Sequence, residues 1–122
     1  MNADNVRISM LCDIYGALLS DKEREALTLY YDEDLSLAEI ADNIGITRQG
    51  VRDSIKRAEA QLLEMEERLG LARRFREMKQ QLEAVSRNAH EIRELNDRWN
   101  RSHEIDELAA GIEETARRLA NE

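Results

Sequence analysis

Basic residues at regular spacing are the feature of this 122-residue sequence best placed to meet a ligand. Arg48, Arg52 and Lys56 recur every four positions, Arg57 follows the last, and Thr47 and Gln49 flank the first. Residues four apart share one face of a helix, so the three form a stripe of positive charge with Arg57 beside it. Between Thr47 and Arg57 these four basic residues face a single acid, Asp53, for a local charge of +3. The whole chain carries −8, and the stretch up to Gly70 holds 8 basic and 15 acidic residues, or −7. A cationic stripe inside an acidic domain is a focused patch, and phosphate is the group it attracts. The alternative is that the stripe pairs with neighbouring carboxylates or only solvates its helix.

A helix-turn-helix unit positions these residues. Ser36-Leu37-Ala38-Glu39 is a capping-box sequence that opens a short helix with Leu37, Ile40 and Ala41 inward. Asn43-Ile44-Gly45-Ile46 ends it, and Gly45 suits the left-handed conformation of a tight turn. Thr47 then caps a longer helix whose apolar positions Val51, Ile55, Ala58, Leu62, Met65 and Leu69 alternate by four and three. Short helix, glycine turn and longer helix make a unit whose second helix can enter a nucleic-acid groove. Gly50 lies in the first turn of that second helix, where a longer side chain would normally reach a base edge; either something approaches the backbone closely there or the position does not read sequence, and both lower the expectation of tight, base-specific DNA binding.

Before this unit, Val6, Met10, Ile14 or Tyr15, and Leu18 give helical spacing over Asp4 to Leu19, with Asn2 or Asp4 as cap. Ser20-Asp21-Lys22-Glu23 is a further capping box, opening a helix to about Tyr31 whose apolar face is Ala26, Leu27, Leu29, Tyr30 and Tyr31. After Gly70 a heptad seam runs through Leu71, Phe75, Met78, Leu82, Val85, Ala89, Ile92 and Trp99, with Asn96 at a core position where a polar residue can set register. Leu69 and Phe75 are six apart where an unbroken repeat needs seven, which places a kink or short turn at Gly70. Beyond a break at Asn100-Arg101-Ser102, Ser102 caps a last helix containing Ile105, Leu108, Ile112 and Leu119.

With 36% charged residues, 4% aromatic and no proline, the composition favours long helices over strands. The expected fold is all-α: a helix-turn-helix domain over residues 4–70, a helical, coiled-coil arm over 71–99, and a C-terminal helix over 102–120 of unassigned role. A helix of 29 residues is about 43 Å long, more apolar seam than a compact monomer of this size covers, so a homodimer is expected unless the last helix folds back on the arm and satisfies the seam within one chain.

Little points to an enzyme. His90 and His103 are thirteen apart with no zinc-like ligand pattern between them, and glycine-rich phosphate loops and nucleophile-elbow motifs are missing, so no catalytic residue, metal or cofactor is expected. Cys12 is alone, which fits a reducing compartment and a small buried hydrophobe. No window approaches the roughly 20 apolar residues of a membrane span, and a cytoplasmic chain is expected. The five aromatic residues supply no stacking platform, which favours backbone or shape recognition over readout of unpaired bases.

The segment SLAEIADNIGITRQGVRDSIKR, Ser36 to Arg57, resembles the promoter-reading, region-four-like helix-turn-helix of sigma factors. Over the longer stretch Arg7 to Leu71 the chain resembles the YlxM-like family of small bacterial helix-turn-helix proteins. The carrying features are the Tyr30-Tyr31 pair before an acidic, leucine-rich stretch, the Thr47-to-Val51 turn, and Ser54-Ile55-Lys56-Arg57 before an acidic helix with Leu62, Leu63 and Leu69. That resemblance implies an all-helical protein that often dimerises and regulates the signal recognition particle pathway, with the particle's RNA or its GTPase as partners. Gly50 stands where similar sequences commonly carry alanine, and the tail from Asn100 has no counterpart in the family pattern. Together these readings point to a regulator that binds structured RNA in preference to DNA through Thr47, Arg48, Gln49, Arg52, Lys56 and Arg57. A DNA-binding transcription regulator and a protein-docking module are the competing readings.

Overall fold

Side-chain oxygens of Ser20, Ser36, Thr47 and Ser102 each accept from the backbone amide three residues on, and each starts a helix where the sequence places one. The computed structural model describes residues 3–99 and 101–122, without the side chains of Ala3 and Asp4. The expected cap Asn2, the side chain of Asp4 and the break residue Asn100 lie outside the described residues. The helices are α1 (Ala3–Tyr15), α2 (Asp21–Leu27), α3 (Leu37–Ile44), α4 (Arg48–Leu69), α5 (Leu71–Trp99) and α6 (His103–Ala120). A 3₁₀ turn, Gly16–Leu18, follows α1, and a π-turn, Thr28–Asp32, follows α2. No strand occurs among the described residues, so the fold is all-α. The chain divides into two units, Met1–Ala72 and Arg73–Glu122.

In the first unit α4 is the spine. Its Val51, Ile55, Ala58 and Leu62 are buried against Ala26 and Leu27 of α2, Ile40 and Ala41 of α3, and Leu11 and Tyr15 of α1. Each fully buried leucine or isoleucine there is worth about 1.5–3 kcal/mol relative to exposure. Two positions of the expected pattern differ: Met65 packs at the edge of this core, while Leu69 is exposed.

The inner face of α1 also differs from the expected one. Ile8, Leu11, Tyr15 and Leu19 are buried, whereas Val6, Met10 and Leu18 face out. Two apolar series interleave on this helix, and spacing alone does not choose between them. Tyr15 decides, because its hydroxyl donates to Glu66 Oε1 at 2.7 Å and accepts from the Leu71 amide at 3.1 Å, partners available only on the inner side. Glu66 Oε1 also accepts from the Ala72 amide at 3.0 Å. The two side chains thus satisfy the first amides of α5, which no preceding helical turn can reach. Burial, with the Glu66 carboxylate next in effect, pushes the Tyr15 phenol above its ordinary pKa.

Gly70 makes this junction possible. It adopts φ 63°, ψ 27°, the left-handed conformation, and its amide closes α4 on the Glu66 carbonyl at 2.8 Å. Tyr15→Phe removes the hydroxyl and leaves the Leu71 amide and one Glu66 contact unmet. The expected result is a thermal midpoint for the first unit lower by roughly 5 °C, read by circular dichroism. An unchanged midpoint would show that water replaces the hydroxyl without cost.

The second unit is a helical hairpin. Contacts pair Ser86 with Glu113, Arg93 with Asp106 and Asn96 with Ser102, so α6 runs antiparallel to α5. Alanines line the contact: Ala89 of α5 and Ala109, Ala116 and Ala120 of α6 are buried. Asn96, expected to set register between helices at a heptad core position, ties the hairpin's own turn. Its amide donates to the Ser102 carbonyl at 2.7 Å and its Oδ1 accepts from the Ser102 amide at 3.1 Å.

The hairpin covers only part of the expected seam. Leu71 packs against the core of the first unit, Ala89 lies under α6 and Leu82 is half-buried. Phe75, Met78, Val85, Ile92 and Trp99 remain exposed, Trp99 at 80%. On α6 the series Ile105, Leu108, Ile112 and Leu119 is exposed too, although its spacing marks it as a core face. Small residues let the two backbones close together, and the large side chains are left to one side of the hairpin.

A polar cluster holds the hairpin further along. Arg93 donates from Nε to Asp106 Oδ1 at 3.1 Å and from Nη1 to Glu113 Oε2 at 3.0 Å, and His90 Nδ1 lies 3.2 Å from Glu113 Oε1. The Arg93 guanidinium, with His90 beside it, holds the Glu113 carboxyl below its ordinary pKa. A carboxylate depressed in the folded state contributes its full stabilisation above its unfolded value, near about 4.3 for glutamate, and loses it as pH falls through the lowered value. The hairpin is therefore expected to lose helicity on acidification below about pH 4. Glu113→Gln should flatten that limb of a pH titration followed by circular dichroism, and an identical acid limb in the variant would remove Glu113 from the account.

Candidate nucleic-acid interface

The turn of the helix-turn-helix forms as the sequence dictates. Ser36 Oγ accepts from the Glu39 amide at 3.1 Å while Glu39 Oε1 accepts from the Ser36 amide at 3.2 Å, completing the capping box that starts α3. Gly45 sits at φ 75°, ψ 33° and returns its amide to the Ala41 carbonyl at 2.9 Å. Ile40, Ala41 and Val51 are buried in the angle, with Ile44 and Ile46 packed beside them. The Ser20 box is different: Ser20 Oγ accepts from the Glu23 amide but donates to Glu23 Oε1, and Glu23 Oε2 is held by Gln61 Nε2 at 2.7 Å. Glu23 therefore links α2 to α4.

Thr47 Oγ1 accepts from the Gly50 amide at 3.0 Å, so Thr47 is occupied as a cap. A Cβ at Gly50 would lie 3.1 Å from that same oxygen and 3.5 Å from Ile46 Cδ1. The position therefore looks back into the turn, contrary to the expectation that a side chain here would reach outward to a base edge, and glycine relieves crowding against the Thr47 cap. Gln49 donates from Nε2 to Asp53 Oδ1 at 2.9 Å, which engages the one acid of the stripe with a neutral partner.

Arg48, Arg52, Lys56 and Arg57 are all exposed along the first three turns of α4. Among the described residues none of the four forms an ion pair, although the surrounding domain is acidic. Ion pairs among the described residues lie near the end of α4, between Glu64 and Arg68, and in the hairpin. The stripe is thus free to meet phosphate, and pairing with neighbouring carboxylates does not consume it.

Tyr30 is the residue whose surroundings sequence periodicity missed. The pattern puts it on the apolar face of the second helix, but α2 widens at Thr28 into the π-turn, closed by the Glu33 amide on the Thr28 carbonyl at 3.2 Å. One extra residue in a turn rotates the side chains beyond it by about 100°. Tyr31 is consequently buried, its hydroxyl donating to Glu59 Oε1, while Tyr30 is 37% exposed with its ring edge-on to Tyr31 at 5.0 Å. Arg52 and Lys56 line the cleft beside these rings. Only the acidic run after Tyr31 hints at an irregular end to this helix.

Other groups offer less. Cys12 is half-buried, and burial first, then Asp32, pushes its thiol above the ordinary pKa, which disfavours the thiolate. Among the described residues no group of three or more His, Cys, Asp or Glu could hold a metal ion. No helix among them is long and apolar enough to cross a membrane.

Residues 2–101 match the family described as "Putative helix-turn-helix protein, YlxM / p13 like". Among curated relatives, a protein of Thermoanaerobacter sp. strain X514 is 42% identical over 114 residues, covering 93% of this chain and 97% of its own length, so the match runs past Asn100 and the tail, expected to lack a counterpart, has one in this relative. One from Caldanaerobacter subterraneus subsp. tengcongensis is 46% identical over 85 residues, 70% of this chain and 73% of its own. One from Symbiobacterium thermophilum is 47% identical over 88 residues, 69% of this chain and 82% of its own.

Proposed function

Because the chain belongs to the YlxM / p13-like family of helix-turn-helix proteins, we propose that it is a non-enzymatic regulator that binds structured RNA, or an RNA–protein particle, through α4. Arg48, Arg52, Lys56 and Arg57 supply the phosphate contacts, and Thr47 and Gln49 shape the start of the helix that carries them. The observation that carries this reading is the unpaired stripe on an otherwise acidic domain. The stretch up to Gly70 carries −7, so within the first unit phosphate attraction is focused on this stripe.

The resemblance to YlxM-like proteins supports a place in the signal recognition particle pathway, with the particle's RNA or proteins as partners, in the cytoplasm. The hairpin supports a homodimer. Leu82, Val85, Leu108, Ile112 and Leu119 line an apolar groove of about 490 Å³ on it. A second hairpin packed there would complete a four-helix bundle around these side chains.

Purification of the tagged protein from its own cells, with and without nuclease, tests the reading. Partners bound through RNA should leave on ribonuclease treatment, and the released RNA should be dominated by one structured species. Partners retained after nuclease treatment, or a co-purifying DNA site with palindromic half-sites, would replace it with protein docking or transcription control respectively.

A further inference from the structure

The cleft between the π-turn and α4 combines features that the phosphate stripe alone does not need. It encloses about 210 Å³ and is lined by Tyr30, Tyr31, Leu37, Arg52, Ile55, Lys56 and Glu59. Ile55 is buried and Leu37 half-buried, so the floor is apolar. Tyr30 presents a partly exposed ring, held edge-on against the buried Tyr31. Arg52 and Lys56 stand exposed at the rim, two members of the stripe already described.

An aromatic wall, an apolar floor and two cations at the mouth are the chemistry of a nucleotide: a flat ring to stack, and phosphate beside it. Glu59 adds an acceptor. Its carboxylate takes the Tyr31 hydroxyl, and a carboxylate has further lone pairs for an N–H on a base edge. The cleft is too small for a base pair, and a base inside a duplex does not reach a recessed wall. We propose that this cleft receives one unpaired nucleobase of a bulge or loop, stacked on Tyr30, with flanking phosphates on Arg52 and Lys56. This rests on the RNA-binding reading above and names the feature of the RNA that the site selects. It also revises the expectation that the scarcity of aromatic residues disfavours such readout, since one ring in the right place suffices.

The test compares two short RNA hairpins, one fully paired and one with a single bulged nucleotide, against the full-length protein at low salt by fluorescence anisotropy. The wild type should bind the bulged hairpin about 10-fold or more tightly, the range expected of one base stacked on an aromatic side chain. Tyr30→Ala should erase that preference while leaving affinity for the paired hairpin within about twofold, because the cations are intact. Tyr30→Phe, which keeps the ring, should retain the preference. Equal wild-type affinity for the two hairpins overturns the proposal and leaves the RNA-binding reading standing. Equal loss by Tyr30→Ala on both hairpins overturns it too, since the ring would then serve only the fold. No binding to either hairpin overturns the RNA-binding reading itself.

Discussion

Arg48→Ala combined with Arg52→Ala is expected to weaken binding to structured RNA by roughly 10- to 100-fold at low ionic strength, with no change in thermal stability. Each lost phosphate contact at an exposed site is worth on the order of 1 kcal/mol, and about 1.4 kcal/mol is a factor of ten. Both arginines are exposed and neither forms an ion pair among the described residues, so the fold has little to lose. The salt dependence gives a second readout. With about four phosphate contacts the logarithm of the binding constant should fall with the logarithm of salt at a slope near −3 to −4, and the double variant should flatten it by about 2. The loss should be similar for unrelated RNA sequences. Salt-insensitive binding by the wild type, or an undiminished slope in the variant, would place the interface elsewhere.

Ile112→Lys is expected to dissociate the protein into monomers at concentrations where the wild type is dimeric, raising the dimer dissociation constant by at least about 100-fold. Two-fold symmetry would bury the substituted side chain twice, and an unpaired ammonium in an apolar groove costs several kcal/mol each time. Ile112 is half-exposed in the hairpin, so the charge is tolerated by the single chain. Val85→Lys, across the same groove, should act alike. Leu82, the position that periodicity makes central, is a poorer choice because it is half-buried and packs within its own hairpin. Analytical ultracentrifugation at tens of micromolar decides: a wild type that sediments as a monomer removes the dimer, and variants that stay dimeric move its interface to another face.

Local rules were readable wherever one residue type has one use. The caps at Ser36, Thr47 and Ser102, the left-handed turn at Gly45, the break at Gly70 and the unbroken run of α5 all arise from neighbours within four residues. The basic stripe was readable for the same reason, since its geometry is helical periodicity and nothing more. Where two apolar series shared a helix, as on α1, spacing could not choose, and a distant partner did. The π-turn escaped because a one-residue insertion leaves no compositional mark, and with it went the exposure of Tyr30. The heptad spacing does not say which of its residues α6 covers: alanines take over the contact within the hairpin, and Phe75, Met78, Val85, Ile92 and Trp99 stay exposed.

An all-α chain, the helix-turn-helix, the position of the cationic stripe and the break at Gly70 are legible in the residues alone, because each depends on backbone preferences and side-chain spacing along one segment. The tertiary structure decided which side of α1 faces inward, that Asn96 closes the α5–α6 turn, that the stripe stays clear of the surrounding carboxylates, and that Tyr30 stands beside Arg52 and Lys56. Those outcomes depend on hydrogen-bond partners and packing surfaces drawn from residues far apart in the chain, and no local pattern encodes which of several acceptable faces will find its complement.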